Sequence, residues 1–483
     1  MQRSAPRPQP RIRRRLAATD MLHRIFAPPS VDSLFSDAAL LAAMARFERG
    51  LAQAQAAAGI IPESAAQAIG RACNELGDPA ASDGGAPDLA GGRFDPARLY
   101  PSARTAGTLV IPFLKALGEQ VATIDADAVR FLHHGSTSQD VIDTALAMQC
   151  KEAGRRLLDG LERTGGALCA LAQSHRGTMM IGRTVMQSAS PIPFAWKVAG
   201  WLDPLSRSRR HLRTSLLDVA VLQFGGAVGT LSALGPTEQA QAVAQRLADS
   251  LGLMLPAASW HTSRDRFARF GNELAILCGC LGKIGTDVAL LMQAEVAEAF
   301  EPSGLGRGGS SAMPHKRNPV GALLMREAAL RAPGLASILA GSMSVEHERG
   351  LGQWQSAWWT LGDLVGATAS SLAAAEEVLG GLQVNAEAMQ ANIDRMHGFV
   401  YSEAVSAHLA PKMGKKEAQA LVSELCEAAL AKGMSLRQVL GRDSRISQLM
   451  SLGDLDRLFD PDAQKGSSPK MIDQVLAAWH ASR

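Results

Sequence analysis

The sequence predicts an all-α fold built around a bundle of long helices. Apolar residues recur at helical spacing through most of the chain, and several of these stretches exceed 25 residues, which is longer than ordinary globular helices. The alternation of apolar and polar residues that marks a half-buried strand is nearly absent. Helices of such length need one another to bury their apolar faces, so a bundle is the expected architecture.

Length and composition indicate a globular protein with more than one domain. The chain has 483 residues, of which 47% are hydrophobic and 20% are charged, which excludes disordered and fibrous classes. A single hydrophobic core rarely grows beyond about 250–300 residues. We expect a basic tail at 1–20, an N-terminal helical domain at 21–120, a central long-helix bundle at 121–370 and a C-terminal helical domain at 371–483.

The formal charge of +3 is unevenly distributed along the chain. Residues 1–20 contain six arginines against Asp20 and carry +5, so the remaining 463 residues carry −2. Prolines at positions 6, 8 and 10 oppose an amphipathic helix, so this tail is expected to be disordered, with Met21 as an alternative start. The body of the chain has no bulk positive charge for binding nucleic acid.

The N-terminal region predicts two helices and an exposed insertion. Ser36 and Asp37 are capping residues before an apolar run at 38–58 that a glycine ends. A second, shorter helix follows Pro62, a residue favoured in the first turn. The segment 77–98 is rich in Gly, Pro and Asp, which predicts an exposed linker or insertion.

Long helices are expected from about residue 105 onward, with shorter ones near the C-terminus. The expected ranges are 105–130, 140–176, 191–216, 236–251, 263–300 and 317–345, followed by 384–395, 402–410 and 415–432.

Two observations favour a cytoplasmic location. No run of 18 or more uninterrupted apolar residues occurs, so no transmembrane helix is expected, and the arginine-rich N-terminus lacks the apolar segment of a secretory signal. The six cysteines include no CxxC pair and are too few for a disulfide scaffold, which predicts free buried thiols in a reducing compartment.

Three polar loops interrupt the helical pattern, and the first has the sequence HHGSTSQD at 133–140. The hydroxyls of Thr137 and Ser138, together with free amides at a helix start, can bind a carboxylate because the helix N-terminus favours negative charge. An equal alternative is that Ser138 only caps the next helix.

The other two loops differ in how strongly they indicate chemistry. The second, GRTVMQSASP at 182–191, is by itself a polar turn closed by a proline, and a structural role is favoured. The third, GLGRGGSSAMPHKRNP at 304–319, combines a glycine-rich stretch with paired serines beside Lys316 and Arg317. This combination suits an anionic substrate and a serine hydroxyl that must lose its proton. The spacing of its lysine excludes a Walker-type phosphate loop.

The three loops resemble, in order, the three conserved blocks of the fumarase/aspartase superfamily, and the run from Gly309 to Pro319 resembles its signature. The resemblance covers nearly the whole chain from Met21. It implies an almost wholly α-helical, three-domain subunit that forms a homotetramer, with active sites built from the three blocks of three subunits. It also implies reversible β-elimination from succinyl-type substrates, with no metal and no organic cofactor.

The resemblance assigns roles to residues by position. Ser310 would be the base that takes the proton next to a carboxylate, while Lys316 and Asn318 would hold that carboxylate and stabilise the aci-carboxylate intermediate. Under this resemblance the catalytic residues are Ser310, Lys316 and His133, and the substrate-binding residues include Thr137, Ser138, Gln187 and Asn318.

One departure from the superfamily pattern concerns the second block. In its lyases this block usually reads Thr-His-x-Gln, whereas this chain has Thr184-Val185-Met186-Gln187. Valine cannot transfer a proton, and an amine or hydroxide leaving group needs protonation. A carboxylate leaving group, whose conjugate acid has a pKa of about 4, does not. The missing histidine therefore indicates the opening or closing of a lactone.

This indication fits the lactone-forming branch of the superfamily, bacterial enzymes that convert 3-carboxy-cis,cis-muconate to 4-carboxymuconolactone in protocatechuate catabolism. The stretches 106–114, 260–266 and 346–349 resemble that branch, although Thr108 stands where an asparagine is expected. The implied partner is a small tricarboxylate, and neither nucleic acid nor membrane is expected. Candidates for its additional carboxylates are Arg264, Arg266 and Arg349, each with an equal alternative as an ion-pair residue.

Two other functions remain open at this point. An adenylosuccinate-lyase-like β-elimination enzyme would share most of the first and third blocks, but Val185 and the lack of an evident nucleotide phosphate site argue against it. A non-catalytic structural protein is the other alternative, since the superfamily includes lens crystallins. The intact residues Ser310, Lys316 and Asn318 argue against that alternative.

Overall fold

The computed structural model describes residues 25–26, 31, 33–77, 89–304, 306–309, 312–313 and 315–481, and these confirm the predicted all-α fold. The expected basic tail, half of the insertion (78–88) and Ser310 lie outside the described residues. The helices are α1 Asp37–Ala57, α2 Glu63–Asn74, α3 Pro96–Ala106, α4 Val110–Ala122, α5 Ser138–Ser174, α6 Phe194–Val219, α7 Thr237–Leu251, α8 Asp265–Leu291, α9 Val320–Gly341, α10 Gln353–Gly380, α11 Ala386–Asp394, α12 Ser402–Met413, α13 Lys415–Lys432, α14 Leu436–Leu440, α15 Ser444–Leu449, α16 Leu452–Leu458 and α17 Ser468–Ala481.

Helix α1 forms as its sequence predicts. The Oγ of Ser36 accepts a hydrogen bond from the backbone amide of Ala39 at 3.3 Å, which satisfies one of the free donors at the helix start. Many of its buried residues are alanines, and their small side chains let α1 pack against α2 and α7. Pro62 stands at the N-cap of α2 with extended backbone angles.

Three of the predicted long helices have different bounds in the structure. The expected single helix at 105–130 is wrong, because Gly107 adopts a left-handed φ of 69° that ends α3 before α4 begins. Thr108, buried between them, accepts the amide hydrogen of Val110 through its hydroxyl. The helix expected at 263–300 ends at Leu291, and the one expected at 317–345 spans only α9.

The polar turn expected at 182–191 is instead part of a β-hairpin. Strands β1 (Met179–Thr184) and β2 (Gln187–Pro193) pair antiparallel, and the two residues between them both have positive φ, 49° at Val185 and 65° at Met186. Positive φ at both central residues defines the type I′ turn, whose twist matches that of the two strands. A second short pair joins β3 (Ala299–Phe300) to β4 (Gln383–Val384).

The described residues group into two compact units. The first unit takes its residues from Met1–Asp159, His211–Gly279 and Ala328–Ala373, and the second from Gly160–Arg210, Cys280–Glu327 and Ala374–Arg483. Each of the five long helices α5, α6, α8, α9 and α10 contributes residues to both units. The second unit contains an apolar cluster formed by the C-terminal helices α12 to α16. The division into three domains that the sequence predicts stays a prediction.

Helix α8 is long and apolar enough to cross a membrane by length and composition alone, but more than half of its most apolar stretch is buried inside the protein. The core helices of globular proteins pass the same test. All six cysteines are free: Cys73, Cys150, Cys169 and Cys278 are buried, whereas Cys280 and Cys426 are half-buried.

Candidate active site

The first polar loop is held in place by one buried carboxylate, that of Asp140. Its Oδ1 accepts hydrogen bonds from the amide of Gly225 at 3.0 Å and the ring Nε2 of His261 at 2.7 Å. Its Oδ2 accepts from the backbone amides of Thr137 at 3.1 Å and Gly226 at 2.9 Å. Because Asp140 is fully buried, these donors are needed to stabilise its charge. They fix the loop at the start of α5 against the segment after α6.

Arg349 is brought directly onto this loop from a segment more than two hundred residues away. Its Nη1 donates to Thr137 Oγ1 at 2.8 Å, and its Nη2 donates to the carbonyl of Ala227 at 2.8 Å. A guanidinium has only donors, so Thr137 Oγ1 must accept this bond, which leaves the hydroxyl hydrogen of Thr137 for another acceptor. Ser138 begins α5 beside it and is half-buried. The geometry therefore places the guanidinium of Arg349 against Thr137 at the start of α5, next to Ser138 in the chain.

His133 begins the same loop and pairs with an acid from another helix. Its Nδ1 lies 2.7 Å from Oε1 of Glu48, which is 1% exposed on α1. Burial favours the neutral ring, but the charge and hydrogen bond of Glu48, with the charge of Asp140, outweigh it and raise the pKa of His133. The ring carries no hydrogen bond on Nε2 among the described residues, so this atom is open to a ligand.

The other two arginine candidates have different surroundings. Arg264 is 1% exposed, and both of its terminal nitrogens donate to the carboxylate of Asp143, which is also fully buried. It therefore forms a buried ion pair and offers no exposed donor to a substrate. Arg266 is half-buried and donates through Nη1 to the carbonyl of Asp218 at 2.9 Å. Among the described residues, Arg349 is the one of the three arginines that donates a hydrogen bond to another predicted site residue.

The cationic group predicted in the third loop, the amine of Lys316, is exposed. Lys316 is exposed and its amine has no partner among the described residues, while Asn318 is half-buried and donates its backbone amide to the carbonyl of Gly308 at 2.8 Å. Gly308 has a φ of 63°, and a Cβ there would lie 2.4 Å from the carbonyl oxygen of Asn318, so only glycine allows this closure. The closure brings Gly309 beside Arg317 as an antiparallel bridge.

A buried glutamate fills the helix start that follows the third loop. The two carboxylate oxygens of Glu301 accept hydrogen bonds from the backbone amides of Gly321 at 3.0 Å and Ala322 at 2.7 Å, in the first turn of α9. Arg307 donates to the same carboxylate at 3.2 Å, and Arg317 donates to the backbone carbonyl of Glu301. Arg317 thus supports the loop.

The second block lies on the hairpin. Gln187 is exposed at the first position of β2, and the side chain of Val185 at the tip is 95% exposed. The strand before the tip is anchored by Arg183, which donates to both carboxylate oxygens of the fully buried Glu298 at 2.7 and 2.8 Å. Asn392 donates to Glu298 as well, at 2.7 Å. The hairpin is therefore rigid at its base and presents an apolar tip.

The described residues of the first loop include hydrogen-bond donors to anions, and the third loop exposes the amine of Lys316. Among the described residues, no group of three or more His, Cys, Asp or Glu side chains could hold a metal ion. The contacts that Glu48 and Glu301 make with the first and third loops were not expected from the sequence, because neither residue lies in a motif. Asp140 belongs to the first loop and His261 to the stretch 260–266. The two are 121 residues apart in the sequence, and nothing in that spacing predicts that they form a hydrogen bond.

Comparison with known proteins supplies the family. A family model described as "Lyase" matches residues 18–334, and one described as "Adenylosuccinate lyase C-terminus" matches residues 398–475. The chain is 43% identical to a 3-carboxy-cis,cis-muconate cycloisomerase of Pseudomonas aeruginosa over 96% of this chain and 97% of that protein. It is 38% identical to a nitrosuccinate lyase of Streptomyces davaonensis, with 94% of each chain covered.

The fold also matches solved structures. The crystal structure of 3-carboxy-cis,cis-muconate lactonizing enzyme from Pseudomonas putida superimposes with a TM-score of 0.86 at 38% sequence identity. The match covers 96% of this chain and 99% of that one, so the similarity extends over the whole fold and is not limited to the three loops.

Proposed function

The chain belongs to the fumarase/aspartase superfamily of lyases, and on that premise we propose that it is a cycloisomerase interconverting 3-carboxy-cis,cis-muconate and 4-carboxymuconolactone. The observation that carries this proposal is Val185 at the tip of the hairpin, where superfamily lyases usually have histidine. The tip has no proton-transfer group, which suits a reaction in which a carboxylate oxygen attacks or leaves. The cycloisomerase relative at 43% identity supports the same assignment.

The proposed reaction is an intramolecular addition in which all atoms are conserved. One carboxylate oxygen of the diene attacks the carbon that closes the ring, forming a C–O bond, and the electrons of the C=C bond move into a neighbouring carboxylate. Lys316 and Asn318 stabilise the resulting aci-carboxylate, and Ser310 delivers a proton to carbon. The role of Ser310, which lies outside the described residues, rests on its motif. In the reverse direction Ser310 removes that proton and the lactone oxygen leaves as a carboxylate.

The remaining carboxylates of the substrate are held by the first loop in this proposal. Arg349 and the hydroxyls of Thr137 and Ser138 form one binding group, and His133 adds a fourth donor. Gln187 is assigned to the substrate from its place in the second block. Arg266 also stays a candidate. We assign Arg264 a positioning role through Asp143, which its burial supports.

A direct test is to incubate the purified protein with 3-carboxy-cis,cis-muconate and to follow proton NMR spectra. We expect the vinyl signals of the diene to be replaced by those of the lactone, with no change in mass. Ser310→Ala should lower kcat by about 10²–10⁴-fold, whereas Ser447→Ala, an exposed serine on α15, should leave it unchanged. Full activity of Ser310→Ala would refute the proposed role of this serine.

The second candidate function is β-elimination from a succinyl-type substrate. It is favoured by the family match at 398–475 and by the nitrosuccinate lyase relative. Parallel incubations with adenylosuccinate and nitrosuccinate distinguish the two candidates. Turnover of either compound without turnover of the muconate would refute the cycloisomerase assignment.

We also propose that the enzyme is a cytoplasmic homotetramer with active sites shared between subunits. Within the first unit, Leu330 on α9 is 84% exposed and Trp359 on α10 is 80% exposed, and large apolar side chains on long helices are typical of subunit contacts. Light scattering after size exclusion should give four times the mass of one chain. Leu330→Asp should lower that mass and reduce activity with it, and a monomeric, fully active wild-type protein would refute this proposal.

A further inference from the structure

We infer that Glu48 is a positioning residue that keeps His133 cationic, so that the Nε2–H of His133 binds a substrate carboxylate and does not act as a base. This inference rests on the proposed function and adds to it a residue outside the three superfamily blocks. It follows from the contacts of α1 with the first loop.

Glu48 is a buried acid with one direct partner. Glu48 is 1% exposed, and its Oε1 lies 2.7 Å from Nδ1 of His133. Its other carboxylate oxygen, Oε2, is buried and forms no hydrogen bond among the described residues. A buried carboxylate with so few donors is unfavourable unless its partner carries the opposite charge. The geometry therefore favours an imidazolium at His133 over a neutral ring.

The same face of α1 holds the backbone of the loop. Gln55, two helical turns after Glu48, donates through Nε2 to the carbonyl of His134 at 2.6 Å and is fully buried. Positions seven residues apart lie on one face of a helix. His133 itself has a φ of 60°, which is uncommon for a residue other than glycine and often marks a functional site. A rigid helix thus fixes both the ring and the strained backbone of this residue.

The other ionisable groups near this pair support the cationic state. Asp140, the last residue of the loop, adds a second negative charge that raises the pKa of His133. Cys73 on α2 lies near Glu48, and burial, followed by the charge of Glu48, raises the pKa of its thiol, so it stays neutral. Arg49, the neighbour of Glu48 on α1, donates to the side chain of Asn74.

The protonated ring has a defined chemical use. With Nδ1–H directed at Glu48, the second donor Nε2–H is free, and the side chain of His133 is 19% exposed. A charge-assisted hydrogen bond from this atom is suited to the carboxylate of a trianionic substrate. The same ring cannot accept a proton in this state, which leaves the acid–base role to Ser310.

The decisive variant is Glu48→Gln, which keeps the size of the side chain and an oxygen acceptor for Nδ1–H but removes the charge. The probe is tricarballylate, a saturated tricarboxylate that cannot react, with its affinity measured by calorimetry between pH 5.5 and 8.5. We expect the affinity of the variant for tricarballylate to approach that of wild type toward pH 5.5, because low pH favours the protonated ring even without Glu48. At pH 7.5 we expect the variant to bind tricarballylate about 10-fold or more weakly than wild type, which is the effect of losing a hydrogen bond to a charged group.

The matched control is Glu63→Gln, an exposed acid at the start of α2, which should follow wild type at every pH. A loss of affinity in Glu48→Gln that is equal at all pH values would indicate a purely structural role and overturn the inference. An unchanged pH profile would overturn it as well. Because tricarballylate does not react, failure of the muconate assay would count against the proposed function alone.

A measurement on the wild-type protein covers the case in which Glu48→Gln does not fold. Histidine labelled with ¹³C gives ring resonances, and His133→Asn identifies the one that belongs to His133. A titration midpoint above pH 7 is expected, and a midpoint below pH 6.5 would refute the inference. Glu48→Asp, which retains the charge, should keep the midpoint raised.

Discussion

Replacing Arg264 by methionine tests whether this residue stabilises the fold or binds substrate. Arg264 and Asp143 are both fully buried, and one of their two hydrogen bonds, from Nη2 to Oδ1, measures 3.0 Å. The guanidinium also lies 5.4 Å from the ring centre of Trp260 and 5.1 Å from that of Phe267. Methionine retains much of the apolar contact but leaves the charge of Asp143 without a counter-ion.

The expected loss follows from the burial of this pair. Breaking a buried ion pair by removing one partner costs about 3–5 kcal/mol, because the remaining charge is uncompensated. Gln139 still donates to Asp143 at 2.9 Å, which places the expected loss near the lower end, about 3 kcal/mol. In the double variant Arg264→Met/Asp143→Leu both charges are absent, so its stability should return to within about 1 kcal/mol of wild type.

The assay is urea unfolding followed by circular dichroism at one fixed protein concentration. Arg269→Met is the matched control, because Arg269 lies in the first turn and a half of α8, which begins directly after Arg264, and its exposed side chain is 3.5 Å from Asp265. It should change the free energy of unfolding by less than about 0.5 kcal/mol. A loss below about 1 kcal/mol for Arg264→Met, combined with a raised KM, would refute this reasoning and restore Arg264 as a substrate ligand.

Three further predictions concern the hairpin, the first loop and pH. Val185→Asn should raise the free energy of unfolding by about 1 kcal/mol, because asparagine tolerates the φ of 49° better than a β-branched residue; a lower thermal midpoint would contradict this. Arg349→Ala should lower kcat/KM by about 10–100-fold, mainly through KM, since Thr137 loses its partner; an unchanged KM would contradict it. Because Glu48 raises the pKa of His133, the stability from this pair is fully present below about pH 6.5 and lost as pH rises through the folded-state pKa. The thermal midpoint should therefore fall more between pH 6.5 and 8.5 in wild type than in His133→Asn, and equal falls would count against this linkage.

Local signals in the sequence identify much of the fold. The cap at Ser36 locates the start of α1. The helix expected at 415–432 agrees with α13 at both ends, and at its C-terminal end Gly433 takes the left-handed conformation that glycine favours. The hairpin was missed because its turn consists of Val185 and Met186. Asparagine and glycine are the usual signal of a type I′ turn, so the sequence contains no turn residues to detect.

The sequence proposes residues for the candidate site but contains no signal for how they pair. Arg349 meets Thr137 across 212 residues, and His133 meets Glu48 across 85 residues. Neither separation follows from helical periodicity or from a motif, because only tertiary packing brings these side chains together. Arg264 illustrates the converse: an arginine in a plausible motif can belong to the core, and its buried partner is visible only in the folded chain.

The carboxylate of Glu301 has a consequence for selectivity among anions. A helix start with free backbone amides is a ready binding site for inorganic phosphate, which is abundant in cells. At the start of α9 this position is taken by Glu301, whose oxygens accept from Gly321 and Ala322. The amides of Gly321 and Ala322 are therefore not available to a phosphate group, so a phosphate-bearing metabolite that competes for the neighbouring loop gains no binding energy from these two donors.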